Sequence, residues 1–160
     1  LKLLLAAIGR LKAGPERELF ERYAKRATQL AGGVGVASVN FREFDESKAR
    51  TAEERRAAEG RVLLDAAGRE AFICALDERG AQVTSPAWAQ EIARERDAGR
   101  PAYAILVGGP DGLDPAVRRA AGSILAFGAQ TWPHQLARAM AAEQIYRSFT
   151  ILAGHPYHRA

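Results

Sequence analysis

The sequence predicts an α/β fold, a mostly parallel sheet flanked by helices, and two observations carry that prediction. Short apolar runs alternate with longer segments of helical pattern along the whole chain, as in repeated strand, helix, strand units. Four helical segments begin beside a proline, which suits the first helical position because the N–H it lacks has no partner there.

The first strand is read in LKLLLAAIG (1–9). The first helix then runs over 15–31 from Gly14-Pro15, and Gly32-Gly33 marks its end. VGVASVNF (34–41) reads as the second strand, followed by a helix over 46–67. EAFICALD (70–77) is the third strand. A helix over 85–98 starts at Ser85-Pro86, with Ser85 as the capping residue whose oxygen meets an unpaired backbone N–H. AYAILVGG (102–109) is the fourth strand, and Asp114-Pro115 launches a helix over 114–121 with Asp114 as its cap. SILAFGA (123–129) is the fifth strand, and Trp132-Pro133 opens the last helix over 133–150. No repeat, linker or low-complexity tract interrupts this alternation, so one domain over 1–160 is expected.

Composition narrows the classes. With 48% hydrophobic and 26% charged residues the chain reads as globular, which excludes a disordered or fibrous class. The formal net charge of +4 sits in the first 30 residues, where Lys2, Arg10, Lys12, Arg17, Arg22, Lys25 and Arg26 oppose only Glu16, Glu18 and Glu21. That stretch is either a solvated helix face or an edge that meets RNA. Cys74 is the single cysteine, so no disulfide forms within the chain, and its apolar setting in AFICAL predicts a buried thiol. LKLLLAAIG is short and leads directly into charged residues, unlike a signal peptide, and no apolar run reaches the 18 or so residues that span a bilayer. A cytoplasmic protein with no membrane partner is expected.

In an open α/β sheet, ligands gather beyond the carboxyl ends of the strands, which directs attention to LDERG (76–80), VGGPDGLDP (107–115) and GAQTWPH (128–134). Gly108, Gly109 and Gly112 allow close backbone approach or positive φ before a new helix begins. The segment lacks the Gly-Lys-Ser/Thr ending of a P-loop and the G-x-G-x-x-G of a dinucleotide site, which leaves a tight structural turn or a small-molecule site. In the last helix Leu136, Met140, Ile145 and Phe149 recur at helical spacing and predict packing contacts. Glu143 and Arg147, four apart, read as a surface pair. The tail GHPYHRA gathers His155, Tyr157, His158 and Arg159. Its two histidines have no nearby cysteine and no second histidine pair, so no metal is expected. Cys74 and the histidines do not make a nucleophile and base pair.

With LDERG, VGGPDGL, TWPHQLAR, EQIYRSF and HPYHR in this order, the sequence resembles the RlmH-type methyltransferases, small members of the knotted SPOUT class. The likeness runs over essentially the full length and is strongest from 103 to 159. It implies an α/β domain with a C-terminal trefoil knot that holds S-adenosylmethionine, and a homodimer that brings residues of both subunits to the active site. The implied activity is methylation of N3 of a pseudouridine in 23S ribosomal RNA within the assembled ribosome. A related knotted enzyme acting on transfer RNA, or a ribosome-binding protein without catalysis, stays open beside it. The resemblance places cofactor contacts at Leu76, Gly109, Gly128, Ala129, Gln130, Thr131, Trp132 and Pro133. It makes Tyr157, His158 and Arg159 the expected catalytic residues: Tyr157 against the target base, His158 or a water it orients as proton acceptor, with His134 and Tyr157 open as alternative acceptors, and Arg159 on phosphate or on the anionic base, where Arg147 is a second candidate. FGAQTWPH departs from the commoner serine followed by a bulky apolar residue, so backbone contacts are the ones expected at Gly128 and Gln130.

Overall fold

A computed structural model describes residues 1–159. Five strands, β1 (Lys2–Ile8), β2 (Ser38–Phe44), β3 (Phe72–Ala81), β4 (Ala102–Val107) and β5 (Ser123–Leu125), form one sheet in the order β2-β1-β4-β3-β5. Every pairing in it is parallel. The helices are α1 (Pro15–Ala31), α2 (Ala52–Ala67), α3 (Ser85–Asp97), α4 (Pro115–Ala120) and α5 (His134–Leu152).

A parallel sheet needs cover on both faces, and the strands are apolar on both. Successive side chains of β1 divide accordingly. Leu3, Leu5 and Ala7 join Ala27 of α1, Ile92 of α3, and Ile145 and Phe149 of α5, whereas Leu4, Ala6 and Ile8 join Leu63 of α2 and Val117 of α4. Tyr103 and Ile105 continue the first layer, Ala104 and Leu106 the second. Cys74 lies fully buried in the first layer, and burial pushes its thiol up to about 12, as befits an inert structural residue.

Element ends differ from the sequence expectation in instructive ways. The chain after α1 tightens into a short 3-10 turn (Gly32–Val34), with Gly32 still right-handed and the left-handed residue delayed to Gly35 at φ 74°. β2 therefore starts at Ser38 rather than 34 and runs on to Phe44. α2 begins at Ala52 rather than 46, because Thr51 and Glu54 form a reciprocal capping box there. The cap of α3 is Thr84, whose hydroxyl accepts from Ala87 N, while Ser85 is already helical and donates to Gln144 Oε1 at 2.7 Å. Pro133 is likewise the residue before α5, which starts at His134. Asp114 does cap α4, accepting from Ala116 N at 2.7 Å. β5 stops at Leu125, which releases 126–133 from the sheet.

Candidate functional site

A cavity of about 650 Å³ opens at the carboxyl ends of β3, β4 and β5. Three backbone segments wall it: Leu76–Arg79, Val107–Leu113 and, beyond Leu125, the stretch that carries Gly128, Gln130, Thr131 and Trp132. Leu76, expected at the carboxyl end of its strand, makes the last pairing of β3 with Val107 of β4. Both Leu76 and Ala81 then pair with Leu125, so the four residues between them leave the ladder, and Asp77, Glu78 and Arg79 line the cavity.

Close approach shapes the glycine turn more than positive φ does. Only Gly112 has positive φ, at 86°, and its N–H donates to Gly109 O at 2.9 Å. A Cβ on Gly108 would stand 2.9 Å from the backbone of Gly112, and one on Gly109 would stand 3.0 Å from Ile8 Cγ2 and 3.2 Å from Glu59 Oε2. From outside, Arg55 holds Asp111 through two parallel bonds of 2.7 and 3.1 Å, which keeps that carboxyl below its ordinary range. Arg118 of α4 pairs with the nearly buried Asp77, fixing the bulge to the start of the next unit. On the far wall Trp132 Nε1 donates to Phe127 O at 3.1 Å, and Thr131 reaches Glu78 at 3.5 Å. Trp132 remains 39% exposed.

The tail forms a second cluster, made of side chains. Glu143 Oε1 accepts from Arg147 Nε at 2.9 Å and Nη2 at 2.5 Å, and from the Tyr157 hydroxyl at 3.0 Å. Expected as a surface pair, Glu143 and Arg147 are instead largely covered and tie the tail to α5. Tyr157 packs on Tyr146 with ring centroids 4.7 Å apart, lies under the Arg147 guanidinium at 4.9 Å, and contacts the Tyr23 hydroxyl of α1 at 3.4 Å. Burial first, then these hydrogen bonds, raise the phenol well above its ordinary range. Arg147 Nη1 lies 3.4 Å from His158 Nδ1, and Tyr157 N donates to His155 Nδ1 at 3.1 Å. Arg159 is exposed.

Leu76, Gly109, Gly128, Gln130, Thr131 and Trp132 thus share the cavity, and Ala129 and Pro133 lie in the same segment of chain. Tyr157, His158 and Arg159 do not line it. Reading the sequence also missed Glu59, which is 5% exposed and supports the turn from beneath. Its Oε1 accepts from Ser47 N at 2.9 Å, while Oε2 faces Gly109 without a partner. The signal was present: Glu59 falls four and eight residues before Leu63 and Ala67, on the buried stripe of α2. Among the described residues no three His, Cys, Asp or Glu side chains converge as a metal set, and no helix is long and apolar enough to cross a membrane.

The family profile described as "Predicted SPOUT methyltransferase" matches residues 1–158. Ribosomal RNA large subunit methyltransferase H of Methylobacterium radiotolerans is 53% identical over 160 residues, covering 99% of this chain and 98% of that protein. The protein of that name from Methylobacterium nodulans is 51% identical over 159 residues with the same shares, and the one from Xanthobacter autotrophicus is 51% identical over the whole of both chains. A likeness that runs unbroken from the first strand through the tail leaves one conclusion, that the chain belongs to the SPOUT methyltransferase family.

Proposed function

We propose that this chain methylates N3 of a pseudouridine in 23S ribosomal RNA of the assembled ribosome, using S-adenosylmethionine and acting as a homodimer. The observation that carries the reading is its likeness, over the full length, to ribosomal RNA large subunit methyltransferases. SPOUT membership supports a C-terminal trefoil knot as well.

The cavity fits the cofactor on its own construction. Its volume suits a nucleoside-sized ligand, and two glycines form a cradle that a Cβ would fill. Leu76 and Trp132 offer apolar surface to an adenine ring, and the turns at 107–113 and 128–133 offer backbone N–H and C=O groups to its edge. When bound, S-adenosylmethionine supplies an electrophilic methyl carbon on a sulfonium. The protein has two further tasks: to hold N3 in line with that carbon, and to favour the anionic character that develops on the ring as the imide proton leaves.

Because the tail does not line the cavity of its own chain, a homodimer supplies the natural remedy, the tail of one subunit beside the cavity of the other. Tyr157 and Arg147 keep the tail ordered, while His158 and Arg159 face the RNA as hydrogen-bonding and cationic groups. The basic face of α1 adjoins them through the Tyr23–Tyr157 contact, with Arg22, Lys25 and Arg26 exposed, which favours an RNA edge over a merely solvated face. Arg26 lies 5.9 and 5.8 Å from the rings of Tyr23 and Tyr146.

The test is transfer of labelled methyl to assembled ribosomes that lack the modification, with naked ribosomal RNA and transfer RNA in parallel. Label confined to one large-subunit pseudouridine is expected. Label on transfer RNA alone would assign a different substrate, and cofactor binding without transfer to any of them would leave a binding protein.

A further inference from the structure

The tail histidine expected as proton acceptor has its lone pair in use. A neutral imidazole carries one hydrogen and one lone pair, so whatever occupies one ring nitrogen decides what the other can do. Arginine has five N–H donors and no acceptor, and a guanidinium stays charged at any pH at which a protein works. Arg147 Nη1 at 3.4 Å from His158 Nδ1 can therefore only donate, and the lone pair of His158 must face it. A hydrogen on Nδ1 would set two donors against each other. The guanidinium is not free to turn away, because Nε and Nη2 both bond Glu143 Oε1 and its central carbon sits over the Tyr157 ring, 4.9 Å from its centre.

We infer that His158 carries its hydrogen on Nε2 and serves the methyl transfer as a hydrogen-bond donor to the imide oxygen of the target base, with Arg147 and Glu143 as the positioning residues that fix this tautomer. The inference rests on the activity proposed above. N3 gives its proton to a solvent water or hydroxide, and its electron pair forms the bond to the methyl carbon. The pair of the broken carbon–sulfur bond stays on sulfur, and His158 keeps its own hydrogen throughout. What the residue contributes is stabilisation of the negative charge that N3 deprotonation spreads onto the ring oxygens, the part an oxyanion-hole donor plays elsewhere.

The first readout needs neither cofactor nor RNA. In protein labelled with ¹⁵N in the histidine rings, spectra at pH 8 should show the His158 hydrogen on Nε2, with His155→Gln and His158→Gln variants giving the assignments. Arg147→Lys, which keeps a donor, should preserve that tautomer, and Arg147→Ala should let the two tautomers mix. A hydrogen resident on Nδ1 in the wild type would overturn the inference. The second readout uses assembled ribosomes. The amide nitrogen of Gln can stand in for an Nε2 donor and cannot act as a base, so His158→Gln should keep turnover within about tenfold of wild type, while His158→Ala should lose roughly a hundredfold. Equal loss in both variants would overturn the donor role. A wild-type chain that methylates no RNA would overturn the function proposed above and the donor role with it, and the ring tautomer measured without RNA tells that failure apart.

Discussion

The cavity and the tail are built by opposite means. Backbone makes the cavity: two glycines at contact distance, a bulge in β3 and a segment released from β5, with side chains bracing from outside. Side chains make the tail: one carboxylate that gathers an arginine and a phenol, and a ring that packs against two neighbours. A backbone site is specified by what cannot be added to it. A side-chain site is specified by what cannot be taken away. The two share a support in α5, whose start borders the cavity and whose second half holds the tail.

Removing that support should break both regions together. Phe149 is fully buried between α5 and the sheet, and Phe149→Ala is expected to destabilise the fold by about 3–5 kcal/mol in denaturant unfolding, with cofactor binding and tail order abolished as one. Gly109→Val should strike the cavity alone. Its added carbons meet Ile8 and Glu59, a crowding that costs about 1–3 kcal/mol locally, and calorimetry should find S-adenosylmethionine binding weakened while the histidine ring signals of the tail stay in place. Wild-type affinity would remove Gly109 from the cofactor wall. Tyr157→Phe is the converse. It deletes the hydroxyl that reaches Glu143 and keeps the ring, a change worth about 0.5–1.5 kcal/mol, and should slow methyl transfer while leaving cofactor affinity unchanged. Reversing charge at Arg22 and Lys25 is a smaller perturbation, expected to lower the salt dependence of ribosome binding by about one unit of slope for each phosphate no longer neutralised.

The two regions should also part company with pH. Asp111, held down by Arg55, contributes its clasp fully above about pH 4, the usual aspartate range, and loses it as pH falls through the lowered value. Tyr157, raised by burial and its hydrogen bonds, keeps its hold on Glu143 below about pH 10 and gives it up as pH climbs through the raised value. Trp132 fluorescence should therefore report loosening at the acid end, and the histidine ring signals of the tail at the alkaline end.

This division also explains what could be read in the sequence. The five strands, the five helices and the glycine turn were legible because periodicity, proline and glycine are local signals, and Asp114 showed as a cap from its place alone. Helix starts at Thr51 and Thr84 were not, since a capping box and a neighbouring proline compete with other polar residues until the backbone is known. The Glu143–Arg147 pair was visible as spacing, but its meaning depends on Tyr157 arriving from 14 residues away and Tyr23 from another helix. Glu59 hid on an apolar stripe because its role depends on Gly109, which the fold delivers from β4. The separation of tail from cavity follows from no local rule; only the path of the whole chain reveals it.

The bulge between Leu76 and Ala81 gives the cavity one wall that is free to change. Because both ends of the bulge meet the same residue, Leu125, the register of β5 does not depend on what lies between them. Gly80 is the exception, since its Cα rests against the Leu125 backbone, where a Cβ would come within 2.5 Å of the carbonyl carbon. Asp77 has a partner to keep in Arg118, but Glu78 and Arg79 are exposed, and Glu78 has only the long contact to Thr131, itself on the cavity wall. A designer, or natural drift, can recut those two positions to alter what the cavity admits, and the sheet beneath would carry no record of the change.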